Sequence, residues 1–323
     1  MNNETVDVLI PVYLPDSDFP NLIAGLFEQT VPPEKVILMH TIPEEGEDTF
    51  PSFTDEPRVE VHDVLRADFD HAETRNTGMR FASSRYVLLL TQDVILYDHS
   101  LIANLLQGIS EPPHAASCYG RQLPRHDCNA LERRVREFNY PAESRVQSKE
   151  SLPELGIKTY FSPDVCCLYD RQVWLDLGGF ESPAIFNEDM IFAWKLIDNG
   201  YRIVYCADAC VYHSHNYTGM QQLRRNFDLA VSQADHPEVF ESVSSEKEGI
   251  RMVKETAWGF VKTGKPWMVF PLFWQSFATP RWRQSRPASS PPPSIRIGTV
   301  HAPMSARIGS AGAATAGSPS QPR

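Results

Sequence analysis

Tyr86-Val87-Leu88-Leu89-Leu90 is apolar at five consecutive positions, and this run limits the fold more than any other stretch of the chain. A strand with one face in water alternates apolar and polar side chains. A run without alternation needs cover on both faces, as a parallel strand between two helical layers has. The residues before it build the same kind of unit. Val6-Asp7-Val8-Leu9-Ile10 reads as a buried strand ending at Pro11. Phe19, Leu22, Ile23, Leu26 and Phe27 then fall at helical spacing until Pro32 and Pro33 stop the helix. Residues 36–39 and 58–62 read as a second and a third strand, and a helix over about 71–82 leads into the apolar run. This βαβ series predicts an α/β fold with a mixed, mostly parallel sheet flanked by helices.

Further along, residues 127–140 read as a charged helix and 165–169 as a strand. Asp170 is placed to cap a short helix closed by Gly178-Gly179. Asn187 is placed to cap a helix over 188–199 closed by Gly200, and 201–205 alternates as a strand. No internal repeat is visible, which excludes a solenoid. From residue 276 to the end the composition changes: six Arg, no Asp or Glu, and eight of the chain's 26 prolines. Such a stretch cannot present a periodic apolar face and is expected to be disordered. The expected division is a domain over 1–240, a helical extension over 241–275 and a tail over 276–323.

Charge narrows the function classes. The chain carries 30 Lys and Arg against 41 Asp and Glu, a net charge of −11, which argues against a protein that coats nucleic acid. Without the tail, 24 basic and 41 acidic residues remain, so the body carries −17 and the tail +6. No apolar stretch reaches the roughly 18–20 residues of a membrane span. Asn2, Asn3 and Glu4 stand where a signal peptide would be basic and then apolar, so a cytoplasmic location is expected. Two readings of the tail stand: a solvated extension, or weak electrostatic contact with anionic lipid at the inner face of the cell membrane. The six cysteines lack CxxC spacing and are too sparse for a disulfide scaffold, so reduced thiols are expected.

Four places could carry chemistry. Asp93, in Thr91-Gln92-Asp93, follows the apolar run, at the strand edge where open α/β sheets bind ligands. A turn aspartate would look the same. Asn187-Glu188-Asp189 sets two acids in the first turn of a helix, where they suit the helix dipole or face a ligand. His213-Ser214-His215 follows Cys210-Val211-Tyr212, and in an extended chain both imidazoles point to one face, a geometry open to a divalent metal. Arg75-Asn76 lies on the helix entering the apolar run, with a guanidinium suited either to phosphate or to a salt bridge.

These pieces occur in a recognisable order. Asp7-Val8-Leu9-Ile10-Pro11-Val12-Tyr13, Phe69-Asp70-His71-Ala72-Glu73-Thr74-Arg75-Asn76, Leu90-Thr91-Gln92-Asp93, Gly120-Arg121-Gln122-Leu123-Pro124, Phe138-Asn139-Tyr140-Pro141, Leu155-Gly156-Ile157-Lys158-Thr159, Asn187-Glu188-Asp189-Met190 and Val211-Tyr212-His213-Ser214-His215-Asn216-Tyr217 resemble the bacterial rhamnosyltransferase branch of the family 2 glycosyltransferases. The resemblance runs from about residue 7 to 230. It implies a GT-A fold, a nucleotide-diphosphate-sugar donor (dTDP-rhamnose for this branch), a divalent metal (Mn²⁺ or Mg²⁺) and inversion at the anomeric carbon. It also implies a glycan or lipid-linked acceptor.

Residue by residue, the resemblance places Pro11, Tyr13, Arg75, Asn76, Gln92 and Asp93 on the donor side. Asp93 stands at the last position of the Asp-x-Asp motif that meets the metal, and His213 or His215 at the late histidine that completes the metal site. Asp189 matches the catalytic base, with Glu188 beside it. Arg121, Gln122 and Asn187 are implied on the acceptor side. Two departures accompany the match. His40-Thr41-Ile42-Pro43-Glu44-Glu45 replaces the acidic and serine-rich segment that usually meets the base and ribose, and Thr91 replaces the first Asp of the general motif.

A sugar-phosphate nucleotidyltransferase would carry a Gly-rich, basic loop after the first strand, and Pro11-Val12-Tyr13-Leu14-Pro15-Asp16 has none. A non-catalytic glycan- or nucleotide-binding protein on a degenerate GT-A fold is the other alternative. The joint presence of Asp93, Asp189 and His213 counts against it.

Overall fold

The computed structural model describes residues 4–184, 186–240, 243, 245–270 and 272. The first half of the chain runs β1 (Val6–Val12), α1 (Phe19–Phe27), β2 (Lys35–Ile42), β3 (Val59–Leu65), α2 (His71–Phe81) and β4 (Tyr86–Leu90). Next come β5 (Ile95–Leu96), α3 (Leu101–Ser110), β6 (Ala115–Leu123), α4 (Ala130–Asn139), β7 (Arg145–Gln147) and α5 (Leu152–Leu155). Then follow β8 (Cys166–Asp170), α6 (Arg171–Asp176), α7 (Glu188–Asp198) and β9 (Arg202–Tyr212). The chain continues through α8 (Gly219–Asp235), α9 (Pro237–Phe240) and α10 (Ser245–Lys262).

One sheet has the order β3-β2-β1-β4-β8-β6-β9-β5, with β7 also paired to β9. The pairs β3–β2, β2–β1, β1–β4 and β6–β9 are parallel, while β8 is antiparallel to both β4 and β6. The expected βαβ half is therefore joined to a second half through one reversed strand. The direction of each strand matters for the site. The carboxyl ends of β1, β4, β6 and β9 and the amino end of β8 all emerge at one edge.

The central strands are buried on both faces, as their lack of alternation demands. Leu9, Ile37, Val87 and Leu89 join one core with Met79, Ile191, Phe192 and Leu196. Val8, Ile10, Val36, Leu38, Leu88 and Leu90 join the other with Phe19, Leu22, Leu101 and Leu105. Asp7 lies fully buried in this setting because Ser83 N–H, Ser84 N–H and Ser84 Oγ–H donate to its carboxylate. None of the six cysteines is in a disulfide.

Several expected elements take different bounds. The charged helix is α4, which starts three residues later than residue 127 and is capped by Asn129, whose side chain accepts from Leu131 and Glu132 N–H. The strand expected at 201–205 and the extended run at 210–212 form one strand, β9, irregular opposite Gly120 and Arg121. Asp170 caps α6 as expected, accepting from Gln172 and Val173 N–H. Asn187 does not cap α7: its φ of 65° turns the side chain away, and Nδ2 donates to Ser232 Oγ at 3.0 Å. The 276–323 expectation lies outside the described residues. Among the described residues no helix is long and apolar enough to cross a membrane.

Candidate active site

Two clusters form at the common strand edge. The first begins where β4 ends. Gln92 reaches across to the β1 loop, accepting from Tyr13 N–H at 2.7 Å and donating from Nε2 to the Tyr13 carbonyl at 3.0 Å. This two-point bond fixes the backbone after Pro11, and the Arg66 guanidinium lies 4.9 Å from the Tyr13 ring centroid. One residue on, Asp93 Oδ2 lies 3.3 Å from His213 Nε2 and 3.5 Å from His215 Nε2. The two imidazoles follow β9 and point to the same side, as alternation of an extended chain requires.

The buried His213 is held from behind. Its Nδ1 lies 2.9 Å from Gln122 Oε1, at the end of β6. Arg136 on α4 donates to the same Gln122 oxygen, and a guanidinium can only donate, so this end of the amide is the acceptor. His213 Nδ1 therefore donates to Gln122, which turns Nε2 toward Asp93. Burial and the neighbouring His213 push the His215 imidazole down to about 3. Burial works against the charge of Asp93, but His213 and His215 outweigh it and hold the carboxyl well below the usual carboxylate range. One carboxylate and two imidazoles, with ligating atoms within 4.8 Å of one another, are a donor set that fits a divalent metal.

The second cluster gathers three carboxylates around one guanidinium. Arg75 on α2 lies with Nη1 3.2 Å from Glu188 Oε1 and Nε 3.4 Å from Asp164 Oδ2. Its Nη1 also donates to the His71 carbonyl at 2.8 Å. Asp164, just before β8, accepts from the Tyr169 hydroxyl at 2.7 Å. Burial pushes Asp164 well above its ordinary value against the pull of Arg75, with Asp189 and Glu188 adding to the rise. Asp189 follows Glu188 in the first turn of α7. Burial and the charge of Glu188 push its carboxyl up to about 7, although Met190 N–H donates to it at 2.7 Å. An acid placed this way takes up and releases a proton near neutral pH.

Tyr140 links the clusters. Burial pushes its phenol up against the pull of Arg136, and the charge of Asp189 adds to that push. Arg136, which secures Gln122, and Asp189 thus act on one buried ring.

The structure brings Asp93, His213 and His215 together in one cluster, and Arg75, Glu188 and Asp189 in the other. The remaining residues singled out in the sequence have more local partners. Asn76 spends its amide on the Phe180 backbone, accepting from its N–H and donating to its carbonyl, both at 3.0 Å. Gln122 supports His213, and Asn187 ties the start of α7 to Ser232. Arg121 sits on β6 opposite Cys210, with its Nε buried. His40, in the segment that departs from the resemblance, lies between Asp48 and Asp63 and stacks on Phe50 with ring centroids 4.1 Å apart. Sequence reasoning missed Asp164 and Arg136. Their local partners, Glu132 for Arg136 and Tyr169 for Asp164, do not mark them, and the contacts with Gln122 and Arg75 that tie them to the site come from distant parts of the chain.

Comparison with known proteins identifies the family. The pattern of Glycosyl transferase family 2 matches residues 7–178. The O-antigen chain rhamnosyltransferase RfbN of Salmonella typhimurium is 36% identical over 265 residues, which cover 81% of this chain and 83% of RfbN. The O-antigen chain rhamnosyltransferase WbaN of Salmonella anatum is 39% identical over 207 residues, 64% of this chain and 65% of WbaN. A mannosyltransferase from Pyrobaculum calidifontis, PcManGT, solved with GDP-Man and Mn²⁺, superposes with a TM-score of 0.53 at 19% identity. That match covers 84% of this chain and 73% of PcManGT, and shows the same GT-A fold. With the family pattern spanning both helix α2, which carries Arg75, and the turn after β4, which carries Asp93, the chain belongs to glycosyl transferase family 2.

Proposed function

We propose that the protein is an inverting rhamnosyltransferase of cell-surface polysaccharide synthesis. It takes rhamnose from dTDP-rhamnose and delivers it to a hydroxyl of a glycan or lipid-linked acceptor at the cytoplasmic side of the membrane. The observation that carries this reading is the placement of a carboxylate with a raised proton affinity, Asp189, on the same strand edge as the Asp93, His213 and His215 donor set. The similarity to two rhamnosyltransferases supports the choice of sugar.

In this reading Asp189 accepts the proton of the acceptor hydroxyl as the oxygen attacks the anomeric carbon from the face opposite the leaving diphosphate. One displacement inverts the configuration. Arg75 pairs with Glu188 beside Asp189, and the charge of Glu188 raises the proton affinity of the base. Gln92 holds the Tyr13 backbone in register with Asp93, which orients the donor loop. A divalent cation, Mn²⁺ or Mg²⁺, held by Asp93, His213 and His215 supplies Lewis-acid neutralisation of the diphosphate when bound.

A thermal-shift panel of nucleotide sugars with Mn²⁺ tests the donor. A ligand at 100 times its Kd stabilises the folded state by about 2.7 kcal/mol, which raises Tm by roughly 5–10 °C in a domain of this size. The expected result is a shift with dTDP-rhamnose and transfer of rhamnose from it. A shift confined to a UDP- or GDP-sugar would replace the donor assignment.

A further inference from the structure

Helix α10 buries one face and leaves the other bare. Phe260, with Val253 and Ala257, packs on Leu131 of α4 and on Leu272. On the opposite side Ile250, Lys254 and Trp258 follow one another at steps of four, and Val261 and Lys262 lie three and four residues beyond Trp258, all exposed. Trp258 is 60% exposed, and the Lys262 Nζ lies 5.4 Å from its ring centroid. Beyond the helix, Trp267 is 67% and Phe270 76% exposed, with Lys265 exposed beside them. Large apolar side chains so bare in a short stretch mark a contact surface.

The sequence says what kind of contact. Four of the chain's six tryptophans fall at 258, 267, 274 and 282. After Glu255 the chain contains no Asp or Glu, and eight Lys and Arg. Tryptophan and phenylalanine interleaved with basic residues suit a bilayer interface, where rings sit among headgroups and cations meet phosphates. Up to Glu255 the chain carries the opposite net charge, with 22 Lys and Arg against 41 Asp and Glu.

We propose that the exposed ridge of α10, with Lys265, Trp267 and Phe270, docks on the surface of an anionic phospholipid bilayer. The contact is interfacial: Trp258, Trp267 and Phe270 enter the headgroup region, and Lys254, Lys262 and Lys265 meet lipid phosphates. The buried face of α10 rests on α4, whose Arg136 reaches Gln122, and the ridge is on the other side of α10. The functional consequence rests on the activity proposed above: docking holds the enzyme at the surface that carries a lipid-linked acceptor.

Flotation of the full chain with vesicles of phosphatidylglycerol and phosphatidylethanolamine, compared with phosphatidylcholine alone, tests the docking. Binding to the anionic vesicles is expected, with a blue shift in tryptophan emission. Trp267→Ser with Phe270→Ser should reduce partition at least tenfold, and Lys262→Glu with Lys265→Glu should make the remaining binding fail at lower salt. Neither pair touches the site, so transfer to a short soluble acceptor should stay at the parent rate. The proposal is overturned if the parent does not float, or if both serine changes leave partition unaltered. It is equally overturned if the serine changes instead dissolve a lipid-free dimer seen by sedimentation, because the ridge is then covered by a second copy. Loss of transfer with every donor alongside intact vesicle binding would remove the proposed activity and leave the docking in place.

Discussion

Asp189 is held between two demands: to be a base it must ionise, yet burial and Glu188 favour its protonated form. Asp189→Asn keeps the shape and removes the basic oxygen. Transfer should fall by about 10²–10⁴ while donor affinity changes little, as measured by initial rates and by donor titration. In the parent, kcat/KM should rise with pH and level off above about 7. The same shift affects stability. An acid whose proton is held more tightly folded than unfolded stabilises the fold below its unfolded pKa, near 3.8, and that contribution is lost as pH rises through about 7. The Asn variant has no such proton, so its Tm should exceed that of the parent increasingly between pH 4 and 7, by a difference on the order of 2–4 kcal/mol. Parallel melting curves would dismiss the raised affinity. In the other cluster, Asp93→Ala and His213→Ala should each weaken Mn²⁺ binding in calorimetry, and non-additively if they serve one ion. Gln122→Ala frees the His213 tautomer and should cost roughly 10–100-fold in Mn²⁺ affinity; unchanged affinity would leave Gln122 without a supporting role. Asp93, Asp189, His213 and His215 were legible because each follows a recognisable strand or opens a helix. Gln122 was visible only as a block in a resemblance, since its bond to His213 spans 91 residues.

At the scale of elements, the site depends on how α2 is fixed to the loop before α7. Asn76 bridges α2 to Phe180, and Gly179 lets the chain come that close: its φ is +75°, and an added Cβ would lie 2.6 Å from Trp174 Cζ2 and 3.0 Å from Asn76 Oδ1. Asn76→Ala leaves the Phe180 N–H and carbonyl buried without their partner. Each orphaned group costs about 1–3 kcal/mol, so a loss of roughly 2–5 kcal/mol in denaturant unfolding is expected. Because the same loop leads to Glu188 and Asp189, kcat should fall as well, though less than in Asp189→Asn. A variant with parent stability would show that the loop finds its place without Asn76. The βαβ elements were legible from residue period alone. The continuity of β9 was not: Ala207, Asp208 and Ala209 interrupt its regular pairing with β6, and such an irregularity breaks the alternation by which a strand is read. Asn187 misled for a related reason, because a capping residue type tells nothing of a left-handed φ that turns its side chain aside.

For the whole molecule, sheet topology decides which residues meet. β8 runs against β4, so Leu90 pairs with Cys166, and Asp93 and Asp164 leave the same edge from opposite chain directions. No local pattern announces that pairing, which is why Asp164 stayed hidden while Asp93 did not. Topology also sets where the folded unit ends. Leu272 is buried against Leu131 and Phe260, and Glu248 of α10 lies 3.0 Å from the buried Lys158 Nζ. Burial pushes that ammonium down in pKa, and the nearby Glu248 carboxylate opposes the shift. Ending the chain after Gln275 removes a stretch whose sequence has no Asp or Glu and no apolar period, and Tm should move by no more than about 1 °C. Ending it after Phe240 strips Phe260 and Leu272 from Leu131 and leaves Lys158 buried without Glu248. Each lost apolar side chain costs about 1.5–3 kcal/mol and the orphaned ammonium a similar amount. At roughly 2–4 °C per kcal/mol, a fall of about 10 °C or more is expected for the shorter form in calorimetry. Equal Tm for both truncations would make 241–275 an appendage, whereas the expected contrast makes it part of the folded unit, with 276–323 outside it.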